Sequence, residues 1–232
     1  MLSKSSGLVF GFCILTAACT SNVEDRPATG AGRPNVPSAA ASMTSEPSPP
    51  SLLVGYDAVE PGVYSVDLVG TRLEITVPAG WTRVGDLAIG GPEDSFIAFL
   101  NATDVYKDGC QWVDGKLGVG PSVQDFVAGL VAQKGLETTD PEPLTLDGFS
   151  GLQLVTTASA NLDFSTCYTG TFATFTDDGT HQIRKSKPGE ATTIWVLDLN
   201  GRRGVIAFGA PDPISASTTA EIEAMVGAIK ID

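Results

Sequence analysis

One histidine, His181, occurs in 232 residues. A zinc site of the H-E-x-x-H kind needs two, so that chemistry is excluded. A Ser-His-Asp triad would have to use His181, which stands in a turn-rich polar stretch where a solvated surface imidazole is the simpler reading. Cysteine is scarce as well: there are four, none in a C-x-x-C pair, so the usual dithiol redox arrangement is missing. Bases are few, 14 Lys and Arg against 27 Asp and Glu, for a net charge of −13. A surface this acidic does not neutralise phosphates, which argues against nucleic acid, and it does not favour lying flat on anionic lipid. No serine after residue 18 has lysine three places on, so the S-x-x-K arrangement is absent. Gly148-Phe149-Ser150-Gly151 misses the G-x-S-x-G elbow by one residue and lies in a hairpin. Gly118-Val119-Gly120 lacks the third glycine of a dinucleotide loop and any G-K-[ST], so no nucleotide and no other cofactor is expected.

Long apolar runs are also lacking. The stretch Gly7–Ala18 is uncharged and mostly apolar, but it is about a dozen residues where a spanning helix needs roughly twenty. With Lys4 ahead of it and small residues behind it, residues 1–18 read as a secretory signal. The end of that stretch, Leu15-Thr16-Ala17-Ala18-Cys19, resembles the bacterial lipobox, with its leucine one place earlier than usual and Thr16 in the customary position. The resemblance implies a diacylglyceryl group on the Cys19 thiol and acylation of its amine. One acyl chain holds a protein only marginally at a membrane, and two or three hold it stably. Loss of residues 1–18 would remove one base and no acid, so the mature chain would be more acidic still. The expected address is the outer face of a bacterial membrane, reached by export and kept by the lipid.

Residues 19–51 are rich in Pro, Ser, Ala and Gly without apolar periodicity. They read as a disordered linker, because such a segment buries too little surface to offset its ordering entropy. Its mean reach is roughly 30 Å. Residues 52–232 are long enough for one domain with a sizeable core. Of the four cysteines, Cys110 and Cys167 remain in this domain. In an oxidising compartment they read as one disulfide closing a loop of about 58 residues, worth roughly 4 kcal/mol in the chain-entropy model; two buried thiols are the alternative.

Within the domain, Val63–Leu68 and Leu73–Val77 alternate as half-buried strands, and Ser95–Asn101 is apolar on both faces. Val123, Phe126, Val127, Leu130 and Val131 follow a helical period, with Ser122 as cap and Gly135 as stop. Leu136–Leu146, interrupted by Pro141 and Pro143, reads as an edge or a bend. Asp147-Gly148 joins it to a return strand, Phe149–Ala158. Residues 168–176 alternate aromatic and small side chains, and His181–Glu190 read as a polar loop. Asn200-Gly201 makes the best hairpin turn in the chain, between two arms apolar on both faces. A last helix with Ile222, Met225, Val226 and Ile229 on one stripe would be capped by Ser217. About seven mostly antiparallel strands and two helices give an α+β class, an antiparallel sheet flanked by helices.

These turns and core positions carry a further resemblance. The strand and turn ending at Trp81, the Cys110–Trp112 segment, the helix from Ser122, the Asp147-Gly148 hairpin, Cys167, Trp195, Asn200-Gly201 and the terminal helix are similar to a group of actinobacterial cell-envelope lipoproteins whose domains are PsbP-like α/β/α sandwiches. The resemblance spans roughly residues 60–232. It implies that fold and a non-catalytic accessory or binding role, and it brings no catalytic motif.

Candidate site residues are few. Arg184, Lys185 and Lys187, with Arg202 and Arg203, stand out in so acidic a chain; they form either two solvated turns or one basic rim for lipid phosphates or an acidic partner. Trp112 and Tyr168 adjoin the two cysteines, so a disulfide would bring them together, either as packing beside the bridge or as the lining of a ligand groove. Glu74, Glu93, Asp104 and Asp163 could supply a two-carboxylate hydrolase, solvated acids being the simpler reading. Asp104, Asp108 and Asp114 do not match EF-hand spacing, so no metal is expected. The leading expectation is a lipid-anchored, non-enzymatic domain that binds an envelope partner protein. The alternative is a carrier of an apolar envelope ligand in a groove between helix and sheet, and the third reading is a carboxylate hydrolase.

Overall fold

A computed structural model of the chain describes residues 48–53, 55–177 and 181–232; the expected signal, Cys19 and the linker up to residue 47 lie outside them. The strands, in order, are β1 (Gly62–Leu68), β2 (Thr71–Val77), β3 (Thr82–Val84), β4 (Ala88–Gly90), β5 (Phe96–Leu100), β6 (Asp104–Val105), β7 (Leu136–Thr138), β8 (Glu142–Leu146), β9 (Phe149–Ala158), β10 (Phe172–Thr176), β11 (Gln182–Lys185), β12 (Ala191–Leu199), β13 (Arg202–Gly209) and β14 (Lys230–Ile231). Helix α1 (Val123–Ala132) falls between β6 and β7, and α2 (Ala216–Gly227) between β13 and β14. The class is α+β, mostly antiparallel sheet with two helices. The largest sheet runs β3-β4-β5-β13-β12-β9, with β7 and β8 sharing the outer edge of β9; β1-β2-β14 and β11-β10-β6 are separate three-stranded sheets. Several of the strands not foreseen, such as β3, β6 and β14, are two or three residues long, too short to carry a readable alternation.

The hairpin β12–β13 sits in the middle of the large sheet because both its faces are apolar. Asn200 and Gly201 take φ of 57° and 81°, the left-handed pair that a two-residue turn needs. Alternate residues then point to opposite sides. Trp195, Leu197, Ile206 and Phe208 enter one core with Trp81, Ile222 and Val226, beneath α2 and the β1-β2 sheet. Ile194, Val196, Val205 and Ala207 enter a second core with Phe126, Leu130, Phe172 and Phe175, beneath α1 and β10. Each fully buried side chain of this size contributes about 1.5–3 kcal/mol, so neither face of the sheet could be left open to water.

Helix α1 begins as its sequence dictates. Ser122 Oγ accepts from Asp125 N, and the Asp125 carboxylate accepts from Ser122 N, a reciprocal cap. Val123, Phe126, Val127 and Leu130 are buried, but Val131 of the expected stripe is half exposed. The helix stops at Ala132, and the buried Gln133 side chain donates to the carbonyls of Tyr106, Ala173 and Thr174, pinning the helix end to β10. In α2 the cap is Ser215, not Ser217: Ser215 has the extended backbone a cap requires and its Oγ accepts from Thr218 N. Ile229 is buried, but beyond the helix end.

Two boundaries differ from expectation. The linker does not run free to residue 51: Pro50 O accepts from Ser65 N and Leu52 N donates to Ser65 O, so its last residues add to the edge of β1. The expected polar loop at 181–190 contains β11, in which Ile183 and Lys185 are buried and Arg184 is exposed.

Candidate functional site

The disulfide Cys110–Cys167 forms, joining the loop after β6 to the segment before β10. Local chemistry prepares both ends. Asp108 Oδ1 accepts from Cys110 N at 2.9 Å and Gln111 N at 3.1 Å, which folds the first loop into a tight turn. Gly109 lies flat on the Phe172 ring; a Cβ there would meet ring carbon at 2.1 Å, so no other residue lets the loop sit so close to β10. On the other side, Asp163 caps the short 3-10 turn Phe164–Thr166 that delivers Cys167. Tyr168 N then donates to Cys110 O at 2.9 Å, sealing the two segments together. Such a bond belongs to an oxidising, extracytoplasmic compartment. Among the described residues no helix is long and apolar enough to cross a membrane.

The bridge brings Trp112 and Tyr168 together, ring centroids 4.8 Å apart and nearly perpendicular. Tyr106 approaches the same indole at 5.9 Å. The Arg184 guanidinium lies 4.8 Å from the Trp112 ring centre, a cation–π contact. Gln182 organises the group: its Nε2 donates to Tyr106 Oη at 2.6 Å and its Oε1 accepts from Arg184 Nε at 2.7 Å. Burial raises the Tyr106 phenol above its ordinary range, so it stays neutral. Lys116 opposes Tyr106 across an isolated antiparallel bridge, which puts the two side chains on one face. Tyr168 and, next to Trp112 in the chain, Val113 are exposed. Trp112 Nε1 is buried and has no hydrogen-bond partner.

The five bases do not form one rim. Arg184 belongs to the Trp112 cluster. Lys185, the alternate residue on β11, points inward; it is 1 % exposed and its Nζ donates to Thr156 O and Thr192 Oγ1. Desolvation lowers its pKa to about 8. Arg203 is buried too, donating to the carbonyls of Ala102, Thr103, Gly120 and Ser122, and so serves as a strut between β13 and the start of α1. Lys187 pairs with Asp212. Arg202 is exposed at the hairpin tip, its guanidinium against Gly70. The inward turn of Lys185 and Arg203 corrects the expected rim: strand alternation sends every second residue to the interior, whatever its charge.

The four acids weighed for hydrolysis each have local work. Glu93 accepts from Ser215 N and Oγ and from Thr218 Oγ1, tying the chain before β5 to the start of α2. Asp104 Oδ1 accepts from the backbone N–H of Val105, Gly118 and Val119. Asp163 caps its turn, and Glu74 pairs with Arg72. His181 Nδ1 lies 2.7 Å from Asp177 Oδ2, and its Nε2 lies 3.5 Å from Asp86 Oδ1. Asp108 bonds Lys134 as well as its own turn, while Asp114 is exposed.

A cleft of about 860 Å³ opens between the β1–β2 turn and the β12–β13 turn, over Leu68, Phe99 and Leu87, with Asp86, Asp177 and Arg202 on its walls. Neither Trp112 nor Tyr168 lines it. A smaller groove of about 340 Å³ runs between α2 and the strands β8, β9 and β12, past Leu144, Trp195 and Val226. The Tyr106, Gln182 and Lys116 members of the Trp112 cluster were not foreseen. Their one sequence signal was the in-out pattern Gln182-Ile183-Arg184-Lys185, which reads as a strand once Ile183 is given weight. The chain matches no protein-family model, and no curated protein is similar to it.

Proposed function

We propose that this protein is a lipid-anchored, non-enzymatic domain on the outer face of a bacterial membrane, and that it binds a partner protein of the envelope through the Trp112 cluster. The observation that carries the reading is the cluster itself: Trp112 in contact with both Tyr168 and Arg184 beside a disulfide, with Tyr168 45 % exposed. Trp, Tyr and Arg are the residues that dominate protein–protein binding energy, and holding them rigid before contact removes part of the ordering cost. Val113, next to Trp112 in the same short 3-10 turn and exposed, extends the surface. The lipobox-like Leu15–Cys19 supports the anchor, and the antiparallel sheet between two helices supports the kinship with PsbP-like envelope lipoproteins.

Two measurements test this. Cys19→Ala should release the protein from the membrane fraction with the domain still folded; retention in the membrane would remove the anchor. A photo-crosslinker at position 113 should capture one defined protein in intact cells, while the same group at position 63, on the exposed side of β1, should not. Equal or absent capture at the two positions would remove the Trp112 surface as the contact. The carrier reading ranks second. Its support is the groove beside α2, whose volume is at the low end for a ligand pocket.

A further inference from the structure

The Trp112 surface carries two cations, Arg184 and Lys116, against one exposed acid, Asp114. The terminal nitrogens of Arg184 have no partner among the described residues; only its Nε is engaged, by Gln182. Lys116 has no ion pair among the described residues either. The Trp112 indole N–H is buried without an acceptor. The nearby Asp108 is already committed to Cys110 N, Gln111 N and Lys134. This stands within a chain of net charge −13, so the local sign opposes that of the molecule.

We infer that the partner segment received here is acidic, with its carboxylates held by Arg184 and Lys116 over the Trp112 ring. The inference rests on the reading of this surface as a protein contact and names the chemistry of its occupant. A carboxylate matches a guanidinium with two parallel hydrogen bonds, and stacking on the indole holds that guanidinium ready. A basic segment would leave the Arg184 and Lys116 cations without counter-charge and set like charge against them, which is costly once water is excluded. An anionic membrane fits less well. Its potential acts on the whole acidic domain and repels it, and Trp112 is recessed between Arg184 and two tyrosines. Association therefore has an unusual salt response. Two acidic bodies repel at a distance, so added salt should speed encounter, while the short-range pairs it weakens should shorten the life of the complex.

The test uses the full-length chain in non-ionic detergent with three probes: an oligo-glutamate peptide, an oligo-lysine peptide of equal length, and glycerophosphoglycerol, the soluble headgroup of phosphatidylglycerol. Trp81 and Trp195 are 1 % and 4 % exposed, so a probe-dependent change in tryptophan emission reports on Trp112. Oligo-glutamate should bind and alter that emission. Arg184→Glu combined with Lys116→Glu should weaken it about tenfold or more and admit oligo-lysine. Trp112→Phe should silence the emission change yet keep measurable binding. Preferential binding of oligo-lysine or of the lipid headgroup to the unaltered protein would overturn the inference, as would an oligo-glutamate affinity indifferent to the double charge reversal. If position 113 still captures its protein in cells after that reversal, the acidic chemistry fails alone. If position 113 captures nothing, the protein-contact reading fails first.

Discussion

Arg203 and Lys185 show how little a charged residue's place in the sequence says about its place in the fold. Arg203 is neighbour to the exposed Arg202, yet its guanidinium is turned inward and donates to four carbonyls at the junction of β13, the 102–103 loop and the start of α1. Arg203→Ala should therefore cost about 3 kcal/mol or more, read as a lowered urea midpoint with unchanged slope; a loss under about 0.5 kcal/mol would contradict the strut role. Lys185 makes a pH prediction. Burial lowers its folded pKa to about 8, below the ordinary 10.5. Between those values the unfolded chain holds a proton that the folded chain has released, so stability rises with pH across that window, by up to about 1.4 kcal/mol per unit. The Tyr106 phenol acts the other way only where the unfolded phenol ionises, near pH 10. Urea unfolding between pH 8 and 9.5 should show the rise, and Lys185→Met should remove it; an identical slope in both proteins would count against the assignment.

Among the elements, the helices depend most visibly on single side chains at their starts. Ser122→Ala breaks the reciprocal cap of α1 and should cost about 1 kcal/mol. For α2 the cap is shared across the chain, since Glu93 reaches Ser215 and Thr218 from the turn before β5. The Ser215 hydroxyl, then the Ser215 N–H and the Thr218 hydroxyl, hold the Glu93 carboxyl below its usual pKa. A depressed carboxyl stabilises above its unfolded pKa and loses that contribution as pH falls through the folded value. The protection of the first-turn amides of α2, taken relative to the free chain at the same pH, should thus fall as pH drops below 4.5, and Glu93→Gln should show the lowered protection already at neutral pH. Equal protection in the two proteins would show that the contact does not hold the helix. The sequence marked where α1 starts, because Ser122 and Asp125 stand three apart ahead of an apolar stripe. It misplaced the α2 cap, because Ser215 and Ser217 are equivalent until the backbone shows which one is extended.

For the whole molecule, one covalent bond links a loop to a face of the fold. Replacing both Cys110 and Cys167 by Ser should cost about 2–5 kcal/mol. It should also flatten the near-ultraviolet signal of the Trp112–Tyr168 pair while leaving the far-ultraviolet spectrum intact. If that near-ultraviolet signal survives, the aromatic contacts hold the surface without the bridge. The two cores explain why the far-ultraviolet signal should persist: β12 and β13 are packed from both sides, and the two cysteines belong to only one of those cores.

Local chemistry alone was enough for the α+β class, the central β12–β13 hairpin and the cover on its two faces. Asn-Gly turns, period-two and period-3.6 apolar patterns and a capping pair are interactions between residues a few places apart, so they are written in the order of the chain. Cys110 with Cys167 was legible for a different reason: two cysteines left over in one domain leave a single pairing to consider. The Trp112 surface was not legible in the same way. Arg184 reaches Trp112 only because β11 pairs with β10 in one register, and Tyr106 meets Gln182 across 76 residues. Which of Arg184 and Lys185 faces water, and which of Arg202 and Arg203, is decided by the strand's orientation in the sheet. That orientation is set by the packing of the whole domain, because it is the burial of Ile183 and Val205 that turns their charged neighbours outward or inward.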